Sequence, residues 1–316
     1  MSPAAPRAAI GVHEAVPVAT VPPSELGEGP RHDPRDDTLL WVDIPAGLVH
    51  RAHWRATGPT LLTTHDLSGD AGAMVGALAP LPDPGTGWSV TREDALLHLA
   101  PDGTTTVLDR PEAGRGTRFN DGACDPLGRF WIGSTGRPVR PGAGRLLRRD
   151  TDGTVRVLLP HVTISNGIDF SPDGRRAYYT DTATHRIDVL DLDRNGEITD
   201  RRVLARFDPA RDGVPDGLTV DHEGCVWVAM WDGWCVRRLA PDGTLLARVD
   251  TPVSRPTACC FHHDTLVITS AREGLDPGEL ARQPDAGRLF LAHVGVGGPP
   301  ARPHLGPIPT PNGDRP

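Results

Sequence analysis

Oxygen-bearing side chains next to glycine recur at three widely separated points of the chain. Glu28 lies in L-G-E-G-P, Asn166 in S-N-G-I-D, and Asp216 in P-D-G-L-T. A fourth segment, 117–122 (T-R-F-N-D-G), adds three further candidates: Arg118, Asn120 and Asp121. Each segment precedes a strand-like stretch that carries its own turn. One oxygen donor from each of several similar strand units can build a shared metal site, so the pattern indicates a metal-dependent hydrolase.

The elements that must position these residues are short strands. Apolar runs of strand length, such as 39–44 and 226–230, are bounded by Gly, Pro, Asp or Asn, and only 277–283 has the pattern of a short helix. Turn glycines recur every 19–28 residues: Gly103, Gly128, Gly153, Gly174, Gly196, Gly224 and Gly243. Two intervals make about 40–50 residues, the length of a four-stranded blade. The sequence predicts an all-β, six-bladed β-propeller with four-stranded blades, and a pair of β-sandwiches is the alternative.

Composition and length set the expected domain limits and the partners. We expect a flexible N-terminal tail at 1–14, a propeller catalytic domain at 15–296, and a Pro/Gly-rich C-terminal tail at 297–316. The net charge is −8 without a basic block, so nucleic acid is not an expected partner. No apolar run approaches the ~18–20 residues of a membrane span, and we find no signal peptide. These features favour a cytoplasmic monomer without a membrane partner.

Two residue counts exclude further classes of chemistry. All 33 basic residues are arginine, so Schiff-base catalysis and a lysine-bearing phosphate loop are excluded. The five cysteines are odd in number and form no C-x-x-C pair, which favours buried reduced thiols over disulfides or structural zinc. His262 and His263 are adjacent, and because neighbouring side chains on a strand point to opposite faces we do not expect them to bind metal together.

From about residue 25 to 292 the chain resembles the senescence-marker-protein/gluconolactonase/regucalcin family of six-bladed propellers. The resemblance rests on L-G-E-G-P at 26–30, R-F-N-D-G-A-C-D-P-L-G-R-F-W-I-G at 118–133, S-N-G-I-D-F-S-P-D-G at 165–174 and P-D-G-L-T-V-D-H-E-G at 215–224. The family typically hydrolyses lactones of sugar acids, so the expected partner is a small-molecule lactone. The resemblance implies that Glu28, Asn166 and Asp216 bind one divalent cation, and that Arg118 and Asn120 contact the substrate.

This ligand set contains two carboxylates and one amide oxygen, without thiol or imidazole. Such donors suit a hard cation, with Ca²⁺ as the first choice and Mg²⁺, Mn²⁺ or Zn²⁺ as alternatives. The cation would polarise a lactone carbonyl, Asp216 would act as general base with a lowered pKa, and Arg118 would stabilise the oxyanion. Asp121 is a candidate for substrate binding, although an Asp before Gly also closes turns.

One segment departs from the family pattern. Relatives of the regucalcin type place a substrate-contacting Glu on the loop after the G-R-F-W-like strand, whereas S-T-G-R-P-V-R-P-G-A-G-R at 134–145 contains no acid. Arg137 and Arg140 occupy the region instead, either as solvated arginines or as contacts for a substrate with an added negative charge. This keeps open a hydrolase of another ester class, such as a natural-product lactone or an organophosphate. A non-catalytic metal-binding propeller is the second alternative.

Overall fold

The computed structural model describes residues 10–308, which form twenty-five strands and two short helices. The first twelve strands are β1 (Gly11–Glu14), β2 (Val16–Pro17), β3 (Gly27–Asp33), β4 (Thr38–Asp43), β5 (Leu48–Arg55), β6 (Gly58–Asp66), β7 (Val75–Pro80), β8 (Trp88–Arg92), β9 (Ala95–Leu99), β10 (Thr105–Asp109), β11 (Thr117–Cys124) and β12 (Phe130–Gly136). The remaining strands are β13 (Gly144–Arg149), β14 (Val155–Val162), β15 (Ser165–Phe170), β16 (Arg176–Asp181), β17 (Arg186–Leu192), β18 (Ile198–Arg206), β19 (Val214–Val220), β20 (Val226–Trp231), β21 (Cys235–Leu239), β22 (Leu245–Asp250), β23 (Pro256–His262), β24 (Thr265–Ser270) and β25 (Phe290–His293). The helices are α1 (Pro209–Asp212) and α2 (Pro277–Arg282).

The strands form six separate sheets, which confirms the predicted six-bladed propeller. Blades 1 to 4 are the consecutive antiparallel sets β3–β6, β7–β10, β11–β14 and β15–β18. Blade 5 consists of β19–β22, and blade 6 contains β23–β25. The six first strands, β3, β7, β11, β15, β19 and β23, contact one another in sequence around the ring, and β23 returns to β3. These inner strands surround the central channel. The predicted short helix is also confirmed, as α2 with a capping box between Asp276 and Glu279.

The turn glycines explain why the repeat could be detected from the sequence. All seven lie between consecutive strands of a blade and have positive φ angles, between 67° and 91°. That conformation costs glycine little, because glycine has no Cβ. Aromatic side chains then join neighbouring blades: Trp131 packs edge-on against Phe170 with ring centroids 5.3 Å apart, and Trp227 packs in the same way against Phe261 at 5.9 Å.

The N-terminal segment differs from the flexible tail that we expected at 1–14. Strand β1 adds to blade 5 by parallel pairing with β22, and β2 supplies the outer strand of blade 6 by pairing with β25. Between them, Ala15 is buried in the apolar cluster that blades 5 and 6 share, and its amide donates to the carbonyl of Asp250 at 2.9 Å. The start of the chain therefore closes the ring. Residues 1–9 lie outside the described residues.

The C-terminal segment also differs from expectation over its described part, 297–308. Its backbone is hydrogen-bonded to three blades: the amides of Ala301, His304 and Leu305 donate to the carbonyls of His32 in β3, Pro80 at the end of β7 and Gly128 in the turn after β11, at 2.8–3.0 Å. His304 is fully buried, which lowers its pKa to about 3. The segment crosses the lower face of the propeller, which we define as the face where the inner strands end. Residues 309–316 lie outside the described residues.

Within residues 10–308, no helix has both the length and the apolar character needed to cross a membrane. The five cysteines are free and buried, as expected.

Closure by the N-terminal segment can be tested with adjacent substitutions. Ala15→Asp places an unpaired carboxylate in the cluster between blades 5 and 6, so we expect it to lower the free energy of unfolding by about 2–4 kcal/mol. Val16→Asp is the matched control, because Val16 is 64 % exposed and should tolerate the charge. Urea denaturation measures both effects. Equal losses in the two variants would contradict an integral role for this segment.

Candidate functional site

Every inner strand carries a bulge at a corresponding position, and the candidate residues lie at these bulges. In each case two residues of the inner strand face one residue of the second strand. The bulged pairs are Gly29–Pro30, Gly76–Ala77, Asn120–Asp121, Asn166–Gly167, Asp216–Gly217 and Thr257–Ala258. A bulge bends the strand and redirects its side chains. Glu28 directly precedes the bulge of blade 1, so residues from blades 1, 3, 4 and 5 come together at the upper end of the channel.

Glycine allows neighbouring bulges to approach each other closely. A Cβ on Gly167 would lie 2.6 Å from the carbonyl oxygen of Asp216, and a Cβ on Gly217 would lie 2.4 Å from the Cβ of Ala258. Neither distance is compatible with a side chain. The Asn-Gly and Asp-Gly dipeptides, which in isolation signal tight turns, therefore serve here to pack β15 against β19 and β19 against β23.

The amide of Asn166 has a fixed orientation. Its Nδ2 donates to Asp216 and also to Thr182 Oγ1, at 3.2 Å. Thr182 Oγ1 donates in turn to the carbonyl of Pro215, at 3.0 Å, so it can only accept from Asn166. The amide oxygen, Oδ1, is left buried without a hydrogen-bond partner among the described residues. Because an unsatisfied buried oxygen is costly, this atom fits a bound cation.

Three buried carboxylates surround this oxygen donor. Glu28 is 5 % exposed, Asp121 is 5 % exposed and Asp216 is 4 % exposed. Burial, followed by the charge of Asp121, raises the pKa of Glu28 to about 8. Burial, followed by the charges of Glu28 and Asp121, raises the pKa of Asp216 well above its usual range. Burial and the neighbouring carboxylates thus oppose the lowered pKa that we expected for Asp216, and they outweigh the hydrogen bonds from Asn166 and from the amide of Gly217, which act to lower it. A nearby cation would favour the ionised form.

Arg31 balances one of these carboxylates, and the sequence analysis did not identify it. Its Nη2 donates to Asp121 Oδ1 at 3.3 Å and to the carbonyl of Gly122 at 2.7 Å. Asp121 also accepts from the amide of Gly122 at 2.7 Å. The sequence position of Arg31 was the available signal, since it follows Glu28 by three residues and directly follows the motif at 26–30. Within the chain Asp121 is therefore held by an ion pair and a backbone contact.

Arg118 and Asn120 form a second pair at the site. Arg118 Nη1 donates to Asn120 Oδ1 at 2.8 Å and to the carbonyl of Phe119 at 2.9 Å. Asn120 Nδ2 donates to the carbonyl of Ser165 at 2.9 Å, which ties blade 3 to blade 4. Burial lowers the pKa of Arg118. Arg118 makes no ion pair with any residue between 10 and 308, so its guanidinium can meet an anionic group of a ligand.

The rim of the site contains an acid that the sequence analysis missed. Arg137 and Arg140 are exposed beyond the end of β12, as expected from the departing loop. Arg137 pairs with Glu93, which lies in the turn between β8 and β9. Trp231 and Met74 both pack against the apolar cluster that includes Val75 and Val90, and Trp234 is 44 % exposed. An acid thus faces the loop, although it comes from blade 2.

Two nearby acids have structural contacts. Asp181 accepts from the amides of Thr163 and Ile164 at 3.1 and 2.9 Å. Asp169 accepts from the amide of Val220 at 2.8 Å and connects β15 to β19. Both acids therefore hold backbone amides next to the site.

The packing role of Gly167 gives a test of the site. Gly167→Ala should displace the backbone of Asp216, because the added Cβ has backbone neighbours on that side. We expect the free energy of unfolding to fall by about 1–3 kcal/mol and Ca²⁺ affinity to fall with it, as measured by denaturation and calorimetry.

Gly11→Ala is the matched control, because its Cβ would meet Ala247 at an ordinary contact distance of 3.4 Å. Unchanged Ca²⁺ affinity in Gly167→Ala would show that the approach of β15 and β19 does not position the ligands.

Comparison with known proteins agrees with this architecture. The profile of the SMP-30/Gluconolactonase/LRE-like region matches residues 26–272. A 6-deoxy-6-sulfogluconolactonase of Pseudomonas putida is 36 % identical over 281 residues, which cover 87 % of this chain and 94 % of the relative. Regucalcin of Gallus gallus is 35 % identical and covers 89 % of this chain and 95 % of its own.

Solved structures have the same fold. A structure described as a calcium-binding protein, regucalcin, from Agrobacterium tumefaciens superposes with a TM-score of 0.83 and 31 % identity, covering 94 % of this chain and 99 % of the other. The matched region contains all four bulges that carry the candidate residues. The chain therefore belongs to the SMP-30/gluconolactonase/LRE-like family.

Proposed function

We propose that this protein hydrolyses the lactone ring of a sugar acid, with one divalent cation held by Glu28, Asn166 and Asp216. The observation that carries the proposal is the buried, unpartnered Oδ1 of Asn166 beside two buried carboxylates. The similarity to a sulfogluconolactonase supports the substrate class. The similarity to a regucalcin described as calcium-binding supports Ca²⁺ as the cation, and the all-oxygen donor set is consistent with it.

The cation would supply Lewis acidity at the carbonyl oxygen of the lactone. Asp216 accepts a proton from the attacking water, whose oxygen forms a bond to the carbonyl carbon. The bond from that carbon to the ring oxygen then breaks, and the ring oxygen leaves with a proton from Asp216 or from water. The product is the open hydroxy acid.

Arg118 stabilises the oxyanion that forms during this attack. Its guanidinium is held by Asn120 and by the carbonyl of Phe119, which fixes its direction before the substrate arrives. A donor that is oriented in advance costs little reorganisation during the reaction. We assign Asn120 to substrate contact and to orienting Arg118. Asp121 adds negative charge beside the cation and completes the substrate-facing surface.

A substrate with an extra negative charge is the second candidate within the same reaction. Arg118 lacks a carboxylate partner among residues 10–308, and Arg137 and Arg140 lie exposed at the rim. Arg118 and Arg140, which make no ion pair among these residues, favour a sulfonate or a carboxylate on the sugar, whereas Arg137 already pairs with Glu93. The named activity of the Pseudomonas putida relative supports the same choice. Comparing gluconolactone with its 6-sulfo analogue decides between the two.

The first test combines metal removal with Asp216→Asn. We expect EDTA-stripped protein to lack lactone hydrolysis and to regain it with one of Ca²⁺, Mg²⁺, Mn²⁺ or Zn²⁺. Asp216→Asn should lower kcat by about 10²–10⁴-fold, because the general base is lost. Proton release above the spontaneous rate measures turnover.

Asp200→Asn is the control, since Asp200 is exposed on the outer strand β18. Undiminished hydrolysis by Asp216→Asn would overturn the assigned base. If folded, cation-bound protein opens no lactone, a panel of aryl esters and phosphotriesters separates another ester hydrolase from a non-catalytic binder.

Arg118→Gln tests oxyanion stabilisation. Because one charged donor is removed, we expect kcat/KM for gluconolactone to fall by about 10²–10³-fold while cation affinity is retained. Arg118→Lys should restore little, since lysine cannot reproduce the planar contact with Asn120. Arg194→Gln, in an exposed turn between β17 and β18, is the control. A change in KM alone would instead indicate uniform substrate binding.

A further inference from the structure

A second cluster of metal-binding side chains lies at the lower face, where the first blade meets the last. His32 lies near the end of β3, Asp37 lies in the turn between β3 and β4, and His262 ends β23. The Nε2 atoms of the two histidines lie 3.0 and 2.8 Å from Asp37 Oδ1. All three ligand atoms lie within 4.8 Å of one another. No residue of the upper site takes part, so this cluster is independent of the proposed hydrolase.

The structure overturns the reason for which we expected no metal binding by His262 and His263. We expected His262 and His263 to point to opposite faces of one strand. The strand ends at His262, and His263 lies in the following turn with φ of 54°. The two rings consequently lie on the same side, with centroids 4.4 Å apart. The decisive partner, His32, comes from the opposite end of the chain.

The two ligating imidazoles are held in place. Trp54 stacks on His262 with ring centroids 3.7 Å apart and an interplanar angle of 15°, and His32 lies edge-on to His262 at 4.6 Å. Only 9 % of the His32 side chain and 7 % of the His262 side chain are exposed, whereas Asp37 is 59 % exposed.

The donor set differs from that of the upper site. Two imidazole nitrogens and one carboxylate oxygen match the ligands of zinc and related transition metals. With metal–ligand bonds of about 2.0–2.1 Å, ligand atoms of a tetrahedral ion lie about 3.3 Å apart. The two nitrogen–oxygen distances need only small adjustments to reach this value. Water or the exposed His263 can fill the fourth position.

We propose that His32, Asp37 and His262 form a binding site for Zn²⁺ or a similar transition-metal ion, which joins blade 1 to blade 6. Asp37 and His262 are 225 positions apart in the sequence. The same two blades meet at the seam of the ring, where the outer strand of blade 6 is the two-residue β2. A metal that binds only the folded chain at this seam stabilises the closed ring.

The test uses the full chain without a polyhistidine tag, stripped of metal and then saturated with Ca²⁺ so that the hard-cation site is occupied. Titration with Zn²⁺ should give one site per chain, and Zn²⁺ should raise Tm. His262→Gln and Asp37→Asn should each weaken zinc binding by at least about tenfold, because loss of a direct ligand should cost no less than loss of a supporting contact. Substitution with Co²⁺ should give the visible absorption of a four-coordinate, nitrogen-bound ion.

His161→Asn is the matched control, because His161 is exposed, has a positive φ and lies on blade 3. It should bind zinc like the parent. Because Asp37 is mostly exposed, Asp37→Asn should leave the fold intact even if His262→Gln does not. Circular dichroism without metal checks that both variants are folded. Hydrolysis with Ca²⁺ should persist in Asp37→Asn, so failure of one site is distinguishable from failure of the other. Absence of zinc binding, or zinc binding that survives both substitutions, would overturn the proposal.

Discussion

The close approach of the six inner strands around a narrow channel is the constraint on which the structure depends. At two of the bulges, Asn166–Gly167 and Asp216–Gly217, a glycine directly after a ligand candidate permits this close approach. A Cβ at either glycine would overlap the neighbouring blade. Each of these dipeptides therefore supplies one donor to the channel and one gap for the adjacent strand. Packing and chemistry are encoded in the same two residues, so neither can change without affecting the other.

The closed ring buries three carboxylates at the upper end of the channel, and nearby arginines do not balance all of their negative charge. Arg31 compensates Asp121, whereas neither Glu28 nor Asp216 has an ion-pair partner among residues 10–308. Glu28 accepts from the amide of Gly29 at 2.9 Å, and Asp216 accepts from Asn166. These neutral donors do not balance two buried negative charges. The missing positive charge must come from protons or from a bound cation, which couples occupancy of the site to the stability of the ring.

Features of this fold that depend on residues close together in the sequence could be predicted, whereas features that depend on a distant partner strand could not. Turn glycines act locally, and Gly103 to Gly243 therefore revealed the blades directly. The motifs around Glu28, Asn166 and Asp216 lie on the inner strands β3, β15 and β19, and the metal-binding role of these residues stays a prediction. The bulges were invisible, because a bulge is defined by its partner strand rather than by its own residues. For the same reason, the Pro/Gly content of 297–308 was misread as a tail, since its hydrogen-bond partners lie in β3, in β7 and in the turn after β11, all distant in the sequence.

The inner strand β3 shows how the two ends of the channel divide their chemistry. Glu28 lies at its upper end and His32 four positions later, near its lower end. The upper bulges carry oxygen donors, which suit a hard cation, whereas at the lower face His32 and His262 carry imidazoles near the ends of β3 and β23. A hard cation would therefore bind at the upper end of β3, and a transition-metal ion would bind at its lower end. The lower cluster lies at the junction of blades 1 and 6, where strands from the two ends of the chain meet. A cross-link between Asp37 and His262 restrains that junction directly, and through β3 it also restrains the position of Glu28.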